Sequence, residues 1–300
     1  MRHIAIIMAV LGMCVGSWGQ AKPAPQNPPA GQATGQAPAG QAAAGQPGQA
    51  GQAAAPQGKR PAKVNSQEEY AAYKAAVAIA DPAEAEKAAE DFATKYPQSE
   101  VRPMVYKVVM QRYQAANNGD RMVAMAKKTL AIDPDDPEAL VAVAQVEAEQ
   151  TKDDALDKDV RLAEAKKEAE HALATVDTDV PASGYPEEQL KNYKNFLRSQ
   201  AYFVLGTAAF KASNWTEAEA NLRKSIDVLP QQPDVIAVYR LALALDFQNK
   251  IPEALKAAQQ AVELTKDAPD SAAGKAARQE QDRLMKFASG GTPAPPPSKN

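Results

Sequence analysis

The chain has 300 residues, of which 34 are basic and 37 acidic, and its formal net charge at pH 7 is −3. So small a net charge argues against nucleic acid as a partner, because phosphate binding requires a concentrated positive surface. The single cysteine and two histidines exclude a disulfide framework and leave no cysteine- and histidine-rich set of metal ligands.

Residues 1–21 have the pattern of a secretory signal peptide. A short positive start precedes an apolar run from Ile4 to Val15, and Gly19 and Ala21 then offer a small-x-small cleavage pattern. The run is shorter than the roughly 20 residues that span a bilayer. We therefore predict an exported bacterial protein, periplasmic or secreted, whose mature form has lost Cys14 and with it any thiol chemistry.

An alternative interpretation makes Cys14 the lipidated first residue of a bacterial lipoprotein. Leu11 and Gly12 precede it as the cleavage box of that class requires, whereas Met13 stands where a small residue is preferred. Under this interpretation the protein would be an outer-membrane assembly factor. Contact with a membrane is expected only in that case.

Residues 22–64 form a low-complexity segment of Gly, Gln, Ala and Pro in which GQA recurs. A segment with so few large apolar side chains cannot bury enough surface to offset its conformational entropy. We therefore predict a disordered tether. Residues 289–300, rich in Pro and Gly, are predicted to form a disordered tail.

Residues 66–288 have the composition of an all-α domain, because Ala, Leu, Glu, Lys and Gln dominate and glycine is rare. Helix starts recur as capping boxes at Ser66 with Glu69, Asp81 with Glu84, and Asn214 with Glu217. Helix stops recur at Tyr96-Pro97, Asn118-Gly119, Asp133-Pro134 and Leu229-Pro230. These signals predict about ten helices in pairs, followed by one final helix.

The most regular helix pair spans residues 200–230. Closely crossing helices need small side chains, and Gly206 on the first helix and Ala218 on the second are placed to supply them. The other positions of this signature are Tyr202, Leu205, Leu222 and Pro230.

With this spacing the chain resembles the tetratricopeptide repeat family, whose unit of about 34 residues carries W, L, G, Y, A, F and P at set positions. A second unit, residues 103–134, has Tyr106 and Tyr113 in place but Met122 where a small alanine belongs. Looser copies span residues 66–97, 137–176 and 233–268. The resemblance implies a right-handed solenoid of about five helix-turn-helix TPR-like repeats, covered at its end by a C-terminal capping helix over residues 270–288.

In this family the first helix of each repeat lines a concave groove that binds a protein or peptide. By register, the groove residues would be Lys107, Gln111 and Gln114 in the second repeat, Phe203, Thr207, Phe210 and Lys211 in the fourth, and Tyr239, Leu243, Asp246 and Phe247 in the fifth. Aromatic groups in the C-terminal half would suit an apolar or extended peptide. The alternative is that several of these aromatics pack between helices. The first interpretation predicts that Phe210→Ala combined with Tyr239→Ala weakens partner binding and leaves helicity intact.

No motif predicts catalysis, a metal or a cofactor. His171, the one histidine outside the signal peptide, has no second histidine to complete a metal site. The acidic runs at residues 133–136 and 153–154 lack calcium-loop spacing, and Asp beside Pro is typical of helix capping. We therefore predict a non-enzymatic protein-interaction scaffold of the cell envelope. The alternative from another class is an envelope enzyme or enzyme subunit whose catalytic residues lie in the insertions at 151–160 and 177–198.

Overall fold

The computed structural model describes residues 58–181 and 186–290. Within these ranges it contains eleven α-helices and no strand. The predicted signal peptide, residues 22–57 of the predicted tether and residues 291–300 of the predicted tail lie outside the described residues. In the described part of the chain, no helix is both long enough and apolar enough to cross a membrane.

The helices follow one another as five hairpins and a final helix, so the predicted all-α helical repeat solenoid is confirmed. Hairpins 1 to 5 are formed by α1 (Gln67–Ala78) with α2 (Pro82–Lys95), α3 (Arg102–Ala115) with α4 (Gly119–Leu130), α5 (Pro137–Gln150) with α6 (Lys158–Thr175), α7 (Glu187–Lys211) with α8 (Trp215–Val228), and α9 (Val235–Phe247) with α10 (Ile251–Leu264). The last helix is α11 (Ala272–Ala288).

Each helix packs against the next in the chain, and the first helix α7 also packs against the first helices α5 and α9. Helix α11 packs mainly on α10 and partly on α9, where it buries Ala277 and Leu284. An exposed apolar end would leave the last hairpin unstable in water, so this final helix has the covering role that repeat arrays require.

The predicted helix starts are present. Ser66, Asp81 and Asn214 each accept a hydrogen bond from a backbone N–H of the first turn that follows. In the first box, Glu69 reaches back to the backbone N–H of Asn65, one residue earlier than the standard pattern, at 2.7 Å. These caps satisfy N–H groups that have no partner inside the helix.

One turn recurs in three hairpins and shows that they are structural repeats. Asn117, Ser213 and Asn249 have φ angles of 55°, 61° and 60°, in the left-handed region. In each case the N–H of the following residue donates to a carbonyl five residues back, as in a Schellman motif: Asn118 to Tyr113 at 2.9 Å, Asn214 to Ala209 at 2.8 Å and Lys250 to Leu245 at 2.9 Å. That following residue is also the N-cap of the second helix. One short turn therefore ends the first helix and starts the second in hairpins 2, 4 and 5.

The same register continues into the second helices. The fourth residue after the N-cap is buried in all three hairpins, as Met122, Ala218 and Ala254. Met122, which departs from the small residue of the repeat signature, is thus a core residue at the equivalent place.

Helices α7 and α8 approach each other closely at Gly206. A Cβ atom added to Gly206 would lie 2.7 Å from Cγ of Leu222 and 3.2 Å from its backbone nitrogen. The tight contact is therefore with Leu222. Two turns away, Ser199 and Ser225 donate through their hydroxyls to each other's backbone carbonyls, at 2.8 and 2.9 Å. Small residues thus let the two helix backbones come together at more than one level.

The predicted tether extends further than the structure allows. Residues 58–64 have no regular secondary structure, but Ala62 and Val64 pack against the apolar core of the first hairpins. The sequence changes here from GQA repeats to charged and apolar residues. Contacts with the helical core therefore begin before the first helix.

Candidate functional site

The first-helix face, formed by α3, α5, α7 and α9, is where the repeat register predicts partner binding. Four of the predicted groove residues, Phe203, Thr207, Phe210 and Leu243, are instead almost fully buried, with at most 5% of their surface exposed. The reason is that α5 and α9 pack against the two sides of α7. These four residues therefore belong to the core, and their assignment to an open groove is wrong.

Phe210 and Phe247 share an aromatic cluster with Trp215. The Trp215 and Phe247 rings are stacked, with centroids 4.2 Å apart, and Phe210 meets both rings edge-on at 5.3 and 6.3 Å. Offset-stacked and edge-on arrangements are the favourable geometries for aromatic pairs. The cluster joins hairpins 4 and 5, so the alternative of aromatics packing between helices holds for these two phenylalanines.

A charged bridge crosses the first-helix face. Both Nη atoms of Arg240 on α9 donate to the carboxylate of Glu149 on α5, at 2.6 and 2.8 Å. Nη1 also donates to the Thr207 hydroxyl at 2.8 Å, and the guanidinium lies 5.3 Å from the centre of the Phe203 ring. Because Thr207 and Phe203 belong to α7, the bridge from α5 to α9 closes over the helix expected to line the groove.

Lys211 completes this group at the end of α5. Its Nζ donates to the backbone carbonyls of Glu149 and Thr151 at 2.7 and 2.8 Å, satisfying carbonyls that have no partner within the helix. Burial lowers the pKa of Lys211, an effect that Glu149 only partly opposes. Burial would raise the pKa of Glu149, but the hydrogen bonds from Arg240, together with the charges of Arg240 and Lys211, hold the pKa below its ordinary value.

A second polar group lies nearer the starts of the first helices. Lys107 on α3 pairs with Asp136, the N-cap of α5, at 2.9 Å and with Glu138 of α5 at 3.4 Å. Glu138 also accepts from the side chain of Gln111 and from the Tyr193 hydroxyl, both at 2.7 Å. Burial would lower the pKa of Lys107, but the two carboxylates outweigh it and raise the pKa above its ordinary value. The predicted groove residues Lys107 and Gln111 are thus brought together, and Glu138 and Tyr193 join them.

Tyr239 and Asp246 face the capping helix. Asp246 forms an ion pair with Arg283 of α11, which also pairs with the buried Glu280. Tyr239 is half-buried, and burial together with the nearby charge of Glu280 raises its pKa to about 12. These contacts place Tyr239 and Asp246 beside the groups that fasten α11.

The residues considered for chemistry take part in helix capping and ion pairs. His171 Nε2 lies 2.8 Å from Asp135 at an exposed site between α6 and the turn before α5. Asp136 caps α5 by accepting from the Ala139 N–H, and Asp153 pairs with Lys158. Among the residues that the structure describes, no group of three or more His, Cys, Asp or Glu side chains lies together as a metal site would require.

The Arg240–Glu149 bridge gives a testable pH dependence. Arg240→Met should lower the free energy of unfolding by about 1–3 kcal/mol at neutral pH, because it leaves a half-buried carboxylate without its main partner. Arg240 and Lys211 are the charged groups that face Glu149, and the pKa of Glu149 in the folded state is below its ordinary value of 4.5. The ionised Glu149 therefore stabilises the fold above pH 4.5, and this stabilisation disappears as the pH falls through the lowered pKa. Urea denaturation at several pH values should therefore show the difference between variant and wild type shrinking as the pH falls below 4.5.

The matched control for this prediction is Arg223→Met. Arg223 is exposed and pairs with Glu219 one helical turn away, and Glu219 keeps its hydrogen bonds from Lys250 and Gln248 when Arg223 is removed, so the loss should be at most about 1 kcal/mol. If Arg223→Met and Arg240→Met lowered the free energy of unfolding equally at neutral pH, this would contradict a special role for the bridge across α7.

No family model matches the chain, and no curated protein matches it. Among solved structures, the chain is similar to one titled "Assembly Chaperone of RpL4 (Acl4) (Residues 1-338)". The two share 13% sequence identity, the match covers 75% of this chain and 100% of the other, and the TM-score is 0.38. Similarity at this level assigns neither a family nor a function. The helices, recurring turns and buried register described above define the class of protein: this is an α-helical repeat protein.

Proposed function

We propose that this protein is a non-enzymatic scaffold of the tetratricopeptide type, which holds a protein or peptide partner on its first-helix face. The observation that carries the proposal is the row of polar side chains that continues from α3 across α5 and α7 to α9. Ion pairs and hydrogen bonds keep these side chains in place, so a partner would meet an ordered surface and lose less entropy on binding.

The chemistry of this face points to polar recognition. The aromatic side chains of α7, Phe203 and Phe210, are buried, whereas the glutamines Gln111 and Gln114 on α3 and Gln145 on α5 remain partly exposed. Gln145 shares a helix face with Glu138 and Glu149, because residues seven and four apart lie on the same side of a helix. Hydrogen bonds and charge would therefore select the partner, instead of the apolar anchor that the sequence suggested.

A matched pair of variants tests this function. Gln114→Arg combined with Gln145→Arg adds two long cationic side chains to the first-helix face and should reduce partner retention at least tenfold, by steric and charge conflict. The control is Gln259→Arg combined with Gln260→Arg, which adds the same groups to exposed positions of the second helix α10. Proteins that the full-length chain retains from a bacterial envelope extract would be measured by quantitative mass spectrometry.

We expect a specific set of proteins to be lost with the first-helix variant and kept with the control. Equal retention by both variants, with both folded by circular dichroism, would overturn the assignment of this face. Loss with the control alone would move the binding surface to the second helices.

The location in the bacterial envelope is part of the same proposal and is supported by the signal-peptide pattern of residues 1–21. The intact mass of the protein purified from cells tests it. A mature chain beginning at Gln20 or Lys22 without lipid mass supports export as a free protein, whereas a chain beginning at a lipid-modified Cys14 supports the lipoprotein alternative. An unprocessed chain would contradict both.

A further inference from the structure

The segment before α1 lies across the turns that connect successive hairpins. We call residues 58–64 the basic strap, because they include Lys59, Arg60 and Lys63. The turns that they cross are α2–α3, α4–α5 and α6–α7, which lie at the same end of the hairpins because each joins a second helix to the next first helix. We call this the inter-hairpin edge.

The start of the strap binds the turns furthest along the chain. The backbone N–H of Lys59 donates to the carbonyl of Thr178 at 2.6 Å, in the α6–α7 turn. Its Nζ lies 2.5 Å from Asp133 in the α4–α5 turn and 3.6 Å from Asp179. One lysine therefore links two successive turns of the edge.

The middle of the strap binds the first turn of the edge. The Arg60 guanidinium donates to both carboxylate oxygens of Glu100, at 2.7 and 2.8 Å, and the Lys63 backbone N–H donates to the same carboxylate at 2.9 Å. The hydrogen bonds from Arg60 and Lys63 lower the pKa of Glu100 to about 2. The carboxylate is therefore charged over the whole physiological range.

From Pro61 to Val64, the side chains of the strap alternate between exposed and partly buried positions, as in an extended segment. Arg60, Pro61 and Lys63 are exposed, whereas Ala62 and Val64 are partly buried against the core of the first hairpins. The contacts thus combine a two-pronged arginine–carboxylate pair, backbone hydrogen bonds and apolar burial. Three acidic side chains of the edge, Glu100, Asp133 and Asp179, face the basic groups of the strap.

We propose that the inter-hairpin edge is a docking site for a basic extended segment, and that the strap of the same chain is its occupant. The docked strap connects hairpins 1, 2 and 3 directly, in an array in which most packing joins neighbouring hairpins. It also holds Gly58 close to the α6–α7 turn, because the next residue, Lys59, donates to Thr178 there. Once released, the seven residues of the strap could extend up to about 23 Å from the start of α1.

A charge-exchange experiment on the full chain tests the proposal. Hydrogen exchange of residues 58–64 would be measured for wild type, Arg60→Glu, Glu100→Arg and the double variant that carries both changes. Each single variant should exchange on the order of fivefold faster in this segment, since it replaces an attraction by a repulsion. The double variant should return most of the protection, because it restores an arginine–carboxylate pair in the reverse direction. Lys256→Glu, which makes the same charge change at an exposed position on α10, is the matched control and should exchange as wild type does.

Two results would overturn the proposal. The first is exchange of residues 58–64 in the wild type at the rate of an unstructured peptide, or equal loss of protection in the double and single variants. The second is protection that rises with protein concentration, which would make the strap of a second copy the occupant of the edge.

Discussion

Replacing Gly206 with leucine is expected to lower the free energy of unfolding by about 3 kcal/mol or more. The new Cβ alone would lie 2.7 Å from Cγ and 2.8 Å from Cδ2 of Leu222, a side chain with no exposed surface. Its distance of 3.2 Å from the Leu222 backbone nitrogen means that a rotamer change of Leu222 cannot by itself relieve the contact. The two helices must separate, and the core between hairpins 4 and 5 loses its packing. Urea denaturation followed by far-UV circular dichroism measures the effect.

The control for Gly206 is Gly119→Ala. A Cβ at Gly119 would be 3.4 Å or more from its neighbours, which is ordinary van der Waals contact, so this variant should remain within about 1 kcal/mol of wild type. Gly206→Ala should also destabilise the fold, because its Cβ alone meets Leu222. Leu222→Ala should partly rescue this variant, because residues in direct contact have non-additive effects. Wild-type stability for Gly206→Leu would contradict the close crossing of α7 and α8.

Replacing Phe210 with alanine should cost about 3–5 kcal/mol, as is usual when a buried aromatic side chain is truncated. Phe210 is 1% exposed and contacts the rings of Trp215 and Phe247, so its loss leaves a cavity and removes two edge-on aromatic contacts, one within hairpin 4 and one between hairpins 4 and 5. The sequence-based expectation that Phe210→Ala with Tyr239→Ala leaves the fold intact is therefore replaced by an expectation of unfolding at lower urea concentration.

Tyr70→Ala is the matched control. Tyr70 on α1 is 41% exposed, so its replacement should lower the free energy of unfolding by less than about 1 kcal/mol. Stability and partner retention together distinguish the two interpretations of Phe210. A Phe210→Ala protein with wild-type stability and impaired partner retention would return Phe210 to the binding surface, whereas a destabilised protein keeps it in the core.

The repeat architecture was predictable because its signals are local. Asn214 caps α8 and accepts from the N–H of Glu217, three residues away, and Ser66 and Asp81 act over equally short distances. Such contacts form within a single turn and depend little on the rest of the chain. In Asn214 and Ala218, an N-cap is followed four residues later by a small residue. Recurrence of this pattern therefore indicates the register of the hairpins.

The binding surface was less predictable because burial depends on distant parts of the chain. The register places Phe203 and Thr207 correctly on the first helix of a repeat, but α5 and α9 decide how much of that helix is covered. The bridge between Glu149 and Arg240, 91 residues apart, has no local signal in either segment. The sequence did not predict the contacts of the strap for a similar reason, because Arg60 and its partner Glu100 are 40 residues apart in the chain.

The sequence by itself determined the helices, the short turns that join them and the repeat register, because caps, left-handed turn residues and small packing positions act within a few residues of each other. Only the tertiary structure decided that Phe203, Phe210 and Leu243 are core, that the polar groups of α3, α5, α7 and α9 form the first-helix face, and that residues 58–64 are ordered. The physical reason is that exposure and charge pairing are properties of neighbours in space, and here those neighbours come from other hairpins.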